Sequence, residues 1–189
     1  MLRIFINPGH DMDLDPGACA NGIREVDIAL AIGQEVKKIM EGIGYPCQLI
    51  QSDNLTGETP SRPNVCGTAN ASGADIFVSI HCNSAGNPGA EGTETLIYST
   101  GGEAEKLAEC IQSQIVNALG TLNRGIKPRP DLAVLRETTM PAVLVETAFI
   151  SNQDDAFKLQ NKQYAFAAAI TRGITDWEQN KVNRRKNQK

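Results

Sequence analysis

Short apolar runs alternate with amphipathic stretches along almost the whole chain, and this pattern limits the possible folds more than any other feature. The apolar runs predict strands at 2–7, 45–50, 75–81, 93–98, 133–135 and 142–146. Three- and four-residue spacing predicts helices at 25–40, 61–71, 104–119 and 154–177, and basic residues and prolines predict a loop at 124–131. The alternation indicates an α/β domain with a mostly parallel sheet that helices cover on both faces.

Length and composition fit one globular domain. The chain has 189 residues, of which 41% are hydrophobic and 21% are charged. The net charge of −4 argues against a nucleic-acid partner, and no apolar run approaches the roughly 18 residues of a membrane span. The first residues lack the features of a signal peptide, so we expect synthesis in the cytoplasm.

The cysteines and the C-terminal residues each carry an expectation. Five cysteines without a CxxC pair predict free thiols, not a disulfide framework or a zinc knuckle, and free thiols fit a reducing compartment. The polar, basic residues 179–189 predict a disordered tail or the start of a linker, so the domain itself is expected to span residues 1–178.

The only two histidines, His10 and His81, each follow an apolar run that is typical of a strand, and Glu146 ends a third such run. In open α/β sheets the carboxyl ends of parallel strands meet at one edge, where ligands bind. The sequence therefore predicts that these three ionisable groups lie at the same edge of the sheet.

Two imidazoles and one carboxylate are a common ligand set for catalytic zinc. Glu25, at the start of the first helix, and Glu146 are both candidates for the third ligand, and the other carboxylate could act as a general base for metal-assisted hydrolysis. Either histidine could instead be structural, and Glu25 could simply favour the helix dipole. Burial of Glu146 is harder to explain without a partner or a function.

Two rival sites are weaker. Cys82 could be a nucleophile, but adjacent strand residues point to opposite faces, so His81 could not serve it and a buried structural thiol is the better interpretation. Asp13, Asp15 and Asn21 do not follow the spacing of a calcium-binding loop and are interpreted as turn formers.

Four segments carry a resemblance to a known family: NPGHDMDLDPGA, IREVDIALAIG, SIHCNSA and RGIKPRPDLAVLRETTMPAVLVETAFISNQDD. Over about residues 2–177 the chain resembles the zinc-dependent N-acetylmuramoyl-L-alanine amidases of the Amidase_3 type. The resemblance implies a three-layer α/β/α fold around a six-stranded sheet. It also implies hydrolysis of the amide bond between the lactyl group of N-acetylmuramic acid and L-alanine of the stem peptide.

The same resemblance assigns roles to individual residues. It implies one zinc ion held by His10, Glu25 and His81, with Glu146 activating water and then protonating the leaving amine. Asn83 and Arg136 match positions near the site, and we expect them to bind substrate. Arg136 could bind a stem-peptide carboxylate or form a structural ion pair.

This chain departs from the family pattern at two places. Asn7, Asp11 and Met12 stand where the family usually has Asp, Gly and Gly in the segment Asp-Pro-Gly-His-Gly-Gly. Some relatives carry a long inhibitory helix after the second histidine, whereas only SAGNPGAEG separates Asn83 from the next predicted strand. We therefore expect a site that is open without an activator. Separately, we expect the chain to be a monomer.

Two other functions remain open, a zinc carboxypeptidase or aminopeptidase-like enzyme on the same fold and a catalytically silent cell-wall-binding module. The expected substrate, peptidoglycan, lies outside the membrane, although no signal peptide is predicted. Phage release through a holin or lysis of a sporulating mother cell would reconcile the two, and a wall-binding domain could follow the basic tail.

Overall fold

The computed structural model describes residues 1–186. Its strands are β1 Ile4–Pro8, β2 Cys19–Ala20, β3 Ile23–Arg24, β4 Cys47–Leu49, β5 Ile76–Asn83, β6 Thr93–Ile97, β7 Asn123–Pro128 and β8 Ala142–Phe149. Its helices are α1 Glu25–Gly42, α2 Val65–Ala71, α3 Glu103–Leu119, α4 Ala133–Arg136, α5 Gln153–Asn161 and α6 Gln163–Lys186. Among the described residues, no helix combines the length and apolarity that crossing a membrane requires.

Six strands form one sheet in the order β4-β1-β5-β8-β6-β7. All neighbouring pairs are parallel except β6 and β8, which run antiparallel. The prediction of a mostly parallel six-stranded sheet is confirmed. The two short strands β2 and β3 form a separate hairpin between β1 and α1.

Helices cover the two faces of the sheet unequally. Side chains of α1, α3 and α6 pack with Ile76, Val78 and Ile80 of β5 in the larger core. The short helices α2 and α4 pack on the other face, in a smaller core that contains Phe77. Because alternate residues of β5 point to opposite faces, both of its faces are apolar, as expected for a central parallel strand. The three-layer α/β/α architecture is confirmed.

Two predictions of secondary structure were wrong. Residues 124–131 were expected to be a loop, but most of them belong to β7, an edge strand whose polar residues and Pro128 are tolerated because one side of it is unpaired. Residues 133–135 were expected to be a strand but form α4. A short apolar run does not distinguish a strand from a buried helical turn.

The C-terminal region also differs from expectation. The helix expected at 154–177 is two helices, α5 and α6, separated at Lys162. Residues 179–186, expected to be disordered or a linker, are the last turns of α6. There the Lys181 ammonium lies 4.6 Å from the centre of the Trp177 ring, and Arg184 Nη2 lies 3.2 Å from Glu103 Oε2. Residues 187–189 lie outside the described part of the chain.

Candidate active site

Three ionisable residues form a row across neighbouring strands. His81 of β5 pairs with Glu146 of β8, and Glu146 pairs in turn with Glu94 of β6. His81 shares the face of β5 with Phe77, which α2 and α4 cover, and the row lies towards the carboxyl ends of β5 and β8. His81 and Glu146 therefore lie side by side near the carboxyl edge of the sheet, where the sequence placed them. Both strands continue past these residues, to Asn83 and Phe149.

Glu25 is the first residue of α1, and its side chain lies at this edge of the sheet. Its side chain is only 6% exposed. Oε1 accepts a hydrogen bond from the Cys82 backbone N–H at 2.9 Å, and Oε2 accepts one from the Ala18 N–H at 3.0 Å. The same two oxygens lie 3.0 Å from His81 Nδ1 and 3.0 Å from His10 Nε2. Burial raises the pKa of Glu25, but the hydrogen bonds with both histidines outweigh it and hold the pKa well below the usual range.

A tight loop positions His10, which has φ of 69°. Asp11 and Asp15 exchange backbone hydrogen bonds of 2.9 and 3.1 Å, and this places Asp15 Oδ2 2.7 Å from His10 Nδ1. Burial lowers the pKa of His10, but the hydrogen bonds with Glu25 and Asp15 raise it more, to about 9. The ring therefore presents Nε2 to Glu25 while Nδ1 is held by Asp15.

Two glycines leave room for the imidazoles. A Cβ atom at Gly9 would lie 2.2 Å from His81 Cε1. A Cβ atom at Gly17, whose φ is +65°, would lie 2.6 Å from His10 Cδ2 and 2.8 Å from Glu25 Oε2. No side chain fits either space, so these positions require glycine.

The arrangement of His10, Glu25 and His81 fits a metal ion. One ligand atom from each residue lies within 4.8 Å of the other two, and Glu25 is buried. Two imidazole nitrogens with one carboxylate oxygen are a donor set typical of catalytic zinc, with a fourth position left for water. Glu25, rather than Glu146, joins the histidines in this possible metal site.

Glu146 stands beside the cluster with an unsatisfied oxygen. Its Oε2 is buried and has no hydrogen-bond partner among the described residues. Burial raises the pKa of Glu146 to about 7, and this exceeds the opposing effect of His81. A buried carboxylate oxygen without a hydrogen-bond partner is costly and is typical of a functional site.

A cleft of about 170 Å³ opens over the histidines. Its polar lining includes His10, His81, Asp15 and Asp53. Its apolar lining is formed by Leu55, Leu132, Ala133, Val134 and Leu144. The cleft can therefore hold a ligand with both apolar and polar groups directly against the possible metal site.

Asn83 and Arg136, the two residues expected to bind substrate, lie in different surroundings. Asn83 Nδ2 donates to Glu94 Oε1 at 3.0 Å, so Asn83 contacts the row of the active site. Arg136 does not line the cleft; its Nε donates to Glu137 Oε1 at 2.7 Å. The contact of Arg136 with Glu137 agrees with the alternative that Arg136 forms a structural ion pair. Substrate binding by Asn83 and by Arg136 stays a prediction.

Two other residues singled out by the sequence have structural surroundings. Asn7 accepts from Ser79 Oγ at 2.9 Å and donates to the Ile50 carbonyl at 3.0 Å, so it links β1 to its neighbours. Cys82 is 2% exposed and lies in the larger core, where burial raises the pKa of its thiol. These surroundings do not suit a nucleophile.

Sequence reasoning missed the role of Asp15 and the whole surroundings of Glu94. Asp15 was interpreted as a turn former, yet its carboxylate contacts His10. A carboxylate five residues after a candidate ligand was the available signal, because metal-binding histidines commonly donate their second nitrogen to a carboxylate.

The α/β/α fold and a His-Glu-His cluster beside a buried carboxylate define a metallohydrolase type of site. The family model described as N-acetylmuramoyl-L-alanine amidase matches residues 4–176. The chain belongs to this amidase family.

Named relatives support the assignment. The chain is 38% identical over 168 residues to N-acetylmuramoyl-L-alanine amidase LytC of Bacillus subtilis, and the match covers 88% of this chain but 33% of LytC. It is 38% identical to the endolysin of Bacillus phage SPP1, covering 85% of this chain and 59% of that one. The solved structure of amidase AmiC2 of Nostoc punctiforme aligns with a TM-score of 0.82 at 33% identity, covering 94% of this chain and 97% of that one.

Proposed function

We propose that this chain is a zinc-dependent hydrolase that cleaves the amide bond between the lactyl group of N-acetylmuramic acid and L-alanine of the stem peptide. The observation that carries the proposal is the buried, unpaired Oε2 of Glu146 next to the cluster of His10, Glu25 and His81. Membership of the amidase family supports this choice of bond.

His10, Glu25 and His81 would hold one zinc ion per chain. When bound, zinc supplies a Lewis acid that polarises a carbonyl group and makes water more acidic. Asp15 fixes the orientation of His10 through Nδ1, so that Nε2 is directed into the cluster. The backbone N–H groups of Ala18 and Cys82 hold the Glu25 carboxylate in place.

Glu146 acts as the general base and then as the general acid. Its carboxylate takes a proton from the attacking water and delivers it to the leaving nitrogen. A pKa raised by burial towards neutrality suits both transfers, because the group can then be deprotonated and reprotonated near pH 7. No hydrogen bond within the described residues competes for Oε2.

The cleft reaches the site without an intervening helix: residues 84–92, between β5 and β6, contain no helix. We infer that the enzyme is active without an activator and works as a monomer on peptidoglycan. We place its action at the cell wall, during phage release or mother-cell lysis, with a wall-binding domain beyond α6 as a further prediction.

The variant Glu146→Gln tests this function on purified peptidoglycan. We expect it to keep its zinc and to lose turnover, while Glu35→Gln, which removes a partly exposed carboxylate paired with Lys38 on α1, stays active. The active protein should create new N-terminal L-alanine on stem peptides. Release of free C-terminal residues would instead support a carboxypeptidase, and binding without any product would support a silent wall-binding module.

A further inference from the structure

A pair of cations on the edge strand lies beside the row that contains Glu146. Glu94 Oε2 accepts a hydrogen bond from Arg124 Nε at 3.0 Å and another from Lys127 Nζ at 2.5 Å. Its Oε1 accepts from Asn83 at 3.0 Å. The Glu94 side chain is 11% exposed, so this carboxylate fixes both cations from a mostly buried position next to Glu146.

Both cations keep access to solvent. The Lys127 side chain is 44% exposed and the Arg124 side chain is 31% exposed. Arg124 is held further by its contact with the Glu91 carbonyl at 3.2 Å and by the Phe149 ring, 4.8 Å from its guanidinium carbon. The Glu94 carboxylate faces two cations, so the cluster of Glu94, Arg124 and Lys127 has a net positive charge. The N–H groups of Arg124 and Lys127 could donate hydrogen bonds to a second carboxylate.

The opposite side of the site is acidic. Asp15 and Asp53 line the cleft, and Asp11 lies beside Asp15 in the loop after His10. Arg62 pairs with Asp53 and lies 3.9 Å from Asp11, so it offsets part of this charge. Charge complementarity therefore favours one orientation of a substrate that carries a carboxylate at one end. That end lies near β7, and the uncharged part of the substrate lies over the cleft.

We propose that Arg124 and Lys127 form a subsite for a free carboxylate of the stem peptide, on the residue that follows L-alanine. This inference rests on the proposed function. Neighbouring strands lie about 4.8 Å apart and an extended peptide advances about 3.3 Å per residue. Arg124 and Lys127 belong to β7, two strands from Glu146, but their charged groups meet Glu94 on β6, the strand next to Glu146. A carboxylate bound by these groups therefore falls at about the second residue of the peptide. Charge-assisted hydrogen bonds from the guanidinium and ammonium groups select a carboxylate over a neutral amide.

Two synthetic muramoyl dipeptides test the subsite. They differ only in the residue after L-alanine, which carries a free carboxylate or a carboxamide. We expect wild-type kcat/KM to be about tenfold higher for the carboxylate substrate, in line with hydrogen bonds to charged groups at a partly exposed position. Lys127→Met should remove this preference and leave the carboxamide rate within about twofold. The control Lys106→Met removes a lysine of matched exposure, 42%, from α3 on the other face of the sheet and should keep it.

The outcomes separate the two proposals. Equal wild-type rates on both substrates, or an equal loss on both in Lys127→Met, would overturn the carboxylate subsite while leaving the amidase function in place. No cleavage of either substrate would overturn the amidase function. In that case calorimetry with the free dipeptides decides on the subsite: tighter binding of the carboxylate form that Lys127→Met abolishes supports it, and equal binding rejects it.

Discussion

Asp15 Oδ2 lies 2.7 Å from Nδ1 of His10, on the side of the ring away from Glu25. The backbone hydrogen bonds between Asp11 and Asp15 close the loop that brings this carboxylate back to the histidine. The chain thus supplies its own support for a candidate ligand within five residues. A carboxylate in this position fixes the ring orientation and makes the other nitrogen a stronger ligand.

Removing that support should weaken zinc binding. For Asp15→Asn we expect an affinity about 10- to 100-fold below wild type, because the amide cannot hold the same charge against His10. Competition with a chromophoric chelator measures the change. Asp13→Asn, two residues earlier in the same loop, is the matched control and should bind zinc like wild type. Equal affinities of all three proteins would show that Asp15 is only a turn residue.

Zinc affinity should rise with pH. Without metal, Glu25 and Asp15 outweigh burial and raise the pKa of His10 to about 9, so the ring carries a proton that zinc must displace. Affinity is then expected to increase about tenfold per pH unit from pH 7 towards 9 and to level off above the His10 pKa. Competitive titrations across this range measure the slope. A flat profile would mean that His10 is neutral before zinc binds.

Gly9→Ala should displace His81. The added Cβ would lie 2.2 Å from the ring, closer than any real contact, and both the ring and the backbone sit in a packed edge of the sheet. We expect a loss of stoichiometric zinc and a destabilisation of about 1–3 kcal/mol. Metal content and thermal unfolding report the two effects. Gly86→Ala, where nothing lies within 4 Å, is the control. Normal metal content in Gly9→Ala would contradict this account of His81.

The rate should increase with pH as Glu146 loses its proton. Burial raises the pKa of this group to about 7 in the metal-free protein, and a zinc cation nearby lowers it. A general base works only when deprotonated, so kcat/KM should rise with pH with a midpoint below about 7. A profile that falls between about pH 5 and 7 would exclude Glu146 as the base.

The enzyme should not need a protein activator. Residues 84–92 contain no helix that could cover the cleft. We expect purified protein to digest peptidoglycan at a rate that host-cell extract leaves unchanged. A basal rate near zero that rises strongly with an added partner protein would contradict an open site.

The sequence predicted the parts of the fold and site that rest on strong local patterns. The apolar runs that end near His81 and Glu146 predicted which edge of the sheet carries the candidate active site. Strands with two apolar faces belong in the centre of a sheet that helices cover on both sides. The choice of Glu25 over Glu146 as the residue grouped with the histidines needed the family resemblance, since both are carboxylates near the same edge. The three-dimensional structure shows directly, without the resemblance, that the Glu25 carboxylate lies between the two imidazoles.

Other features depended on contacts that no local pattern records. The polar strand β7 resembles a loop because its Arg124 and Lys127 point to Glu94 instead of a core. Arg136 was singled out by its motif, yet its side chain contacts Glu137 and the Asp131 carbonyl, not the cleft. Long-range pairing across the sheet decides the case of β7, and such pairing is not visible in one sequence.

The most direct test of the central claim is the appearance of new N-terminal L-alanine on purified peptidoglycan, with zinc removed by a chelator and then restored. The proposed function predicts new alanine termini with the untreated protein, none after chelation, and recovery when zinc returns. Alanine termini that persist after complete removal of zinc would contradict the metal-dependent mechanism. Absence of such termini under all three conditions would contradict the amidase function itself.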